Sequence, residues 1–244
     1  MATRADWVQG VREQAWAFGR RLRDDLLSRY QHEYDLAVPP PPAKIVDELL
    51  TDFLHAELQY LPLADDRFAE TRWENGKAVV RVNTLTACIP GVKDAEGVQN
   101  VGKWHEAVHV VRDLPDLRVA PQACLPGLEV AREIACYRSG RRLTPLNDWE
   151  REVFAEEAGR AAAVSMSALA RSEAFRRLPH VGRRSLGPAP GAWPLLYQAA
   201  QDIGVNISSL VKQLSLEGWI AVVKEEGRER VYVQPALTER MDAT

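Results

Sequence analysis

Apolar residues recur at roughly helical spacing along the first stretch of the chain. Trp7, Val11, Trp16, Phe18, Leu22, Leu26 and Leu27 stand among charged residues from about Asp6 to Tyr34, which predicts one long helix. The run Pro39-Pro40-Pro41-Pro42 must stop it, because proline lacks the N–H a helix needs. Ile45, Leu49, Leu50 and Leu54 then line one side of a second helix over Ala43–His55. Short strands are expected at Tyr60–Leu63 and Arg67–Trp73. The Asn75-Gly76 turn signal leads into a β-branched strand at Ala78–Asn83, so a hairpin is predicted here.

From Val98 to Arg112 the period returns to that of a helix. Val101, Trp104, Val108 and Val111 make one apolar stripe. Pro115, Pro121 and Pro126 predict a loop, and Leu128–Arg138 a helix. Asp148 can cap a further helix running to about Arg177, alanine-rich in its middle. Prolines and glycines from Leu178 to Pro194 read as a linker. Beyond it come a short helix at Leu195–Asp202, a turn at Ile203-Gly204-Val205 and a second helix at Asn206–Glu217. Two alternating strands follow at Trp219–Val223 and Arg230–Val233. Helix, turn, helix, hairpin is the order of a winged helix-turn-helix.

Composition narrows the function classes. The 244 residues carry a formal net charge of -3, so the chain as a whole has no basic field for nucleic acid, and only local patches remain. Three cysteines, with no CxxC pair, argue against a disulfide framework or an all-cysteine zinc site and suit a reducing cytoplasm. No apolar run has the length of a signal peptide or a membrane span, so no membrane partner is expected.

The candidate chemistry lies at His105-Glu106-Ala107-Val108-His109, a complete HExxH. Residues four apart share a helix face, so both imidazoles can point at one ion. Two imidazoles and one carboxylate leave zinc an open position for water. Glu106, one residue round the helix, is then the candidate general base. Manganese or iron can take similar ligands.

The third ligand should be a downstream carboxylate. Asp113 and Asp116 follow closely. Glu129 and Glu133 share a face of the next helix, and Glu150, Glu152, Glu156 and Glu157 lie on the one after. Glu133 is the first choice, with Glu129 and Glu152 as rivals.

With these residues in place, the chain resembles the ImmA/IrrE (PprI-like) metallopeptidases over roughly Ala43–Val223. The resemblance rests on the strand Arg72-Trp-Glu-Asn-Gly-Lys-Ala-Val-Val-Arg-Val-Asn83, which ends in asparagine, and on Lys103-Trp-His-Glu-Ala-Val-His109 behind it. Family members usually carry glycine just before the second histidine, where this chain has Val108. Their zinc glutamate lies in a pattern near E-x-x-A-N. Glu133-Ile-Ala-Cys-Tyr137 resembles it without the asparagine. Glu152-Val-Phe-Ala-Glu156 is the rival register and keeps the alanine.

The resemblance implies an α+β fold: a zincin-like core over 43–177, made of a small antiparallel sheet and the HExxH helix. Residues 1–38 would form an N-terminal helix, 178–194 a linker and 195–236 a winged helix-turn-helix module. It further implies a zinc endopeptidase that cuts a specific protein, a helix-turn-helix transcriptional repressor of a stress-response or mobile-element system. The competing expectation is a winged-helix DNA-binding regulator with a metal-binding sensor or scaffold core. In that reading Lys212, Lys224, Arg228 and Arg230 meet phosphates, while Ser208, Ser209 and Gln213 sit where base readers would.

Overall fold

The computed structural model describes residues 4–64, 67–113, 148–183 and 188–234. Within them the chain is α+β. Helix α1 (Arg4–Glu33) precedes strands β1 (Glu57–Leu61), β2 (Ala69–Glu74) and β3 (Lys77–Asn83). Helices α2 (Ala95–Arg112), α3 (Asp148–Ala163), α4 (Met166–Leu169), α5 (Glu173–Arg183), α6 (Ala192–Ile203) and α7 (Ile207–Leu216) follow. A hairpin of β4 (Ile220–Glu225) and β5 (Arg228–Val233) ends the described chain.

The sheet is mixed rather than wholly antiparallel as expected. Its order is β1-β3-β2, with β1 parallel and β2 antiparallel to β3. Burial explains the arrangement. Ala78, Val80 and Val82 bury one face of β3, and Val79 and Asn83 are buried on the other, so β3 takes the middle and β1 pairs on its far side. Asn75 and Gly76 both have positive φ, +49° and +79°, as a type I′ hairpin turn between β2 and β3 requires.

The single helix expected over Ala43–His55 is three successive turns of different pitch: a 3₁₀ turn at Pro42–Lys44, an α turn at Val46–Glu48 and a π turn at Leu49–Phe53. At the start of the wide last turn the Thr51 hydroxyl donates to the Asp47 carbonyl at 3.0 Å. Both Leu49 and Leu50 are thereby buried.

The long helix expected from Asp148 to Arg177 is three helices, because two serines redirect the backbone. Ser165 caps α4 by accepting from the Ala168 N–H, and the Ser172 Oγ accepts from the Phe175 N–H. Helix α5 runs on to Arg183, through Pro179, where a linker was expected.

The C-terminal order of helix, turn, helix and hairpin appears at nearly the expected places. Asn206 caps α7, accepting from the Ser209 N–H at 3.0 Å. These elements share their apolar core with the rest: Leu196, Ile203, Leu210, Leu214, Ile220 and Val231 belong to one cluster with Leu50, Val80, Trp104 and Phe175. A smaller cluster of Val11, Ala15, Val108, Phe154, Ala155 and Ala158 joins α1, α2 and α3. Among the described residues no helix is long and apolar enough to cross a membrane.

Candidate metal centre

Helix α2 starts from an Asp94 cap that accepts from the Gly97 N–H at 2.9 Å. Its apolar face, with Trp104, Ala107, Val108 and Val110 buried, holds it under the sheet and against α3. That packing fixes which way the HExxH side chains point. His105 and His109 lie one turn apart with their Nε2 atoms at 3.0 Å.

Helix α3 brings the third donor. Glu152 Oε2 is 3.2 Å from His105 Nε2, and Glu152 Oε1 is 3.6 Å from His109 Nε2. Tetrahedral ligands about 2.0–2.2 Å from a zinc ion stand about 3.3–3.6 Å from one another, so these spacings are close to what one ion needs. Among the described residues this is the only group of three able to hold a metal ion. The donor set, two imidazoles and one carboxylate, also suits zinc and leaves a position open.

The close approach of α3 to α2 depends on a missing side chain. A Cβ on Gly159 would stand 2.6 Å from the backbone nitrogen of His105 and 2.7 Å from its Cα. Glu152 and Gly159 are seven residues apart, two turns along one face. The glycine contact therefore sets the distance at which Glu152 reaches the histidines. This accounts for the small residues in the middle of α3: Ala155 and Ala158 are buried against α1 and α2.

Two further carboxylates attend the site. Glu106 is 6% exposed, with Oε1 at 4.0 Å from His105 Nε2, beside the donor triad without joining it. Asp113 lies one turn beyond His109, and its Oδ2 is 2.6 Å from His109 Nδ1.

The electrostatics favour a cation. Burial pushes the His109 imidazole towards its neutral form, but the hydrogen bond to Asp113 and the charges of Glu106, Asp113 and Glu152 outweigh it and hold the pKa above its usual value. The hydrogen bond from His105, against the opposing effect of burial, holds the Glu152 carboxyl below the usual carboxylate range, aided by both imidazoles.

His105, Glu106 and His109 thus come together as the motif predicts. Of the carboxylates weighed from sequence, the structure brings Glu152. Glu133, the first choice, lies outside the described residues, as do Glu129 and Asp116. Asp113 meets the histidine's other nitrogen. Glu156 and Glu157 turn to cations instead: Lys212 Nζ is 2.7 Å from Glu156 Oε1, and Arg160 bonds Glu157. The role of Asp113 had a sequence signal, its spacing of four from His109, which places both on one helix face.

Of the expected DNA-contacting residues of α7, Ser208 is exposed and Ser209 half-buried, while two others have partners within the chain. Gln213 is 1% exposed and donates to Glu217, while Lys212 is held by Glu156. Comparison with family models, with curated proteins and with solved structures gives no match to this chain.

Proposed function

We propose that the protein is a zinc-dependent endopeptidase in which His105, His109 and Glu152 hold the ion and Glu106 is the general base. One observation carries this reading: three donor groups converge with nitrogen and oxygen atoms 3.0–3.6 Å apart, and the buried carboxylate of Glu106 lies beside them. Glu152 thereby replaces Glu133 as the preferred third ligand. When bound, zinc supplies Lewis acidity towards water and the scissile carbonyl. The Glu106 carboxylate takes the proton of the attacking water and returns it to the leaving amine. Its burial limits competing solvent at the carboxylate.

The sheet supports a peptide substrate. Among the described residues β2 is an edge strand, and its Thr71 Oγ1 lies 3.5 Å from the Glu106 carbonyl oxygen. An extended chain that added to this edge would run past the site with its backbone held in register. On the resemblance to the ImmA/IrrE metallopeptidases, the substrate is a helix-turn-helix transcriptional repressor of a stress-response or mobile-element system, met in the cytoplasm.

The second reading, a winged-helix DNA-binding regulator, has less support. Gln213 is buried, Lys212 pairs with Glu156 and Arg230 with Glu225 and Glu226, so the cations left for phosphates are Lys224 and Arg228, beside Glu225, Glu226 and Glu229. Incubation of the zinc-loaded protein with regulators encoded beside it tests the choice. One regulator is cut at a single bond, and Glu106→Gln lowers the rate about 10²–10⁴-fold while zinc stays bound. Zinc-loaded wild type that cuts none of them, together with a sequence-specific DNA footprint, supports the regulator instead.

A further inference from the structure

We infer that Asp113 is a positioning residue for the metal, holding His109 in the one tautomer and orientation that leaves Nε2 free to bind. The inference rests on the metal reading of the site and adds to it a residue outside both the HExxH motif and the ligand triad.

Three observations support it. Asp113 Oδ2 is 2.6 Å from His109 Nδ1, the nitrogen opposite the one that faces His105 and Glu152. An imidazole has one N–H in its neutral form, and a carboxylate can only accept, so this contact puts the hydrogen on Nδ1 and the lone pair on Nε2. His109 is also the more enclosed of the two histidines, its side chain 8% exposed against 20% for His105, so water competes little for Nδ1. Finally, the Asp113 N–H donates to the His109 carbonyl at 2.9 Å. That bond ties the backbone of Asp113 to the residue its side chain orients, so the carboxylate has little freedom to swing away. Glu106 and Glu152 lie on the Nε2 side and cannot replace it.

A ligand held this way binds more tightly, because the ring needs no reorientation and its basicity is raised; loss of such a partner costs about 10- to 100-fold in metal affinity. The alternative is that Asp113 only closes the end of α2. The two roles separate in a competition between protein and a chelator of known zinc affinity, run on wild type, Asp113→Asn and Asp113→Ala, with thermal melting alongside. Asparagine keeps the shape and the backbone bond but can turn its amide N–H towards Nδ1, which would leave the wrong nitrogen protonated.

Zinc affinity at least tenfold weaker in both variants is expected, with melting temperatures close to wild type in Asp113→Asn. Wild type that binds zinc while Asp113→Asn binds within threefold of it overturns the inference and leaves the metal site standing. Wild type that takes up no zinc overturns both. Should Asp113→Ala fail to fold, Asp113→Asn alone decides.

Discussion

Two carboxylate clusters lie on α3 less than two turns apart, and they are opposite in kind. Glu157 is almost fully enclosed and surrounded by fixed donors: Arg160 bonds it, Trp16 Nε1 donates to it at 3.0 Å, and Arg12 and Lys212 stand at 3.5 and 3.7 Å. Glu152 has a side chain 51% exposed, and its ion-pair partners among the described residues are the two histidines. One cluster is neutralised by the protein's own cations. The other gathers Glu152, Glu106 and Asp113 around two imidazoles. The difference separates a network closed within the chain from a group of donors that could hold a cation.

Substitution at the two glutamates should divide these roles. Glu157→Ala leaves buried Arg160 with only the half-exposed Glu156 as its partner and should lower the stability to urea by up to about 3–5 kcal/mol, with zinc still bound by the folded fraction. Glu152→Ala should do the reverse, abolishing zinc binding at micromolar metal while the urea midpoint of the metal-free protein stays near wild type. A Glu157 variant that loses zinc but not stability would erase the contrast.

Gly159→Ala should affect both clusters at once. The added methyl meets the His105 backbone, so α3 must move off α2. Overpacking of this kind costs about 1–3 kcal/mol. Because Glu152 travels with α3, zinc affinity should fall as well, which the same chelator competition reads.

Acid should also separate the clusters. Glu157 is pushed up by burial but pulled further down by Arg160, Trp16 and Lys212, so its folded pKa lies below the ordinary 4.5. Its contribution to stability is therefore complete above that value and is lost as pH falls through the depressed folded pKa. Metal binding should fail earlier on the way down. His109 must shed its proton to bind, and its pKa in the metal-free protein is raised above the ordinary 6.5, so zinc affinity should begin to fall above that pH. Zinc titrations and urea curves across pH 3–8 should show the two losses in that order.

The smallest effect belongs to Lys212. Its pairing with Glu156 is between half-exposed side chains, so Lys212→Ala should cost only about 0–1 kcal/mol. A larger loss would mean that α7 helps to hold α3 in place.

What the sequence made legible is what depends on near neighbours. HExxH, the apolar stripe of α2, the Asn75-Gly76 turn and the order of the C-terminal elements all follow from spacings of a few residues. The third donor did not, because helical glutamates look alike along the chain. Glu152 differs from Glu156 only in where α3 crosses α2, and that crossing is set by Gly159, seven residues on. The pairing of β1 with β3 instead of β2 likewise depends on which strand is buried on both faces. The serine breaks after α3 were hidden by a helical pattern that continues through them. Contacts between distant parts of the chain were equally hidden: Leu210 and Leu214 of α7 pack in the same cluster as Trp104 of α2.

The central claim is that His105, His109 and Glu152 hold one ion. Elemental analysis of the purified protein tests it most directly, with wild type beside His109→Ala, Glu152→Ala and Glu133→Ala. The geometry predicts near-stoichiometric zinc in wild type and in Glu133→Ala, and its loss in the other two. Zinc retained by Glu152→Ala, or lost from Glu133→Ala alone, would contradict it.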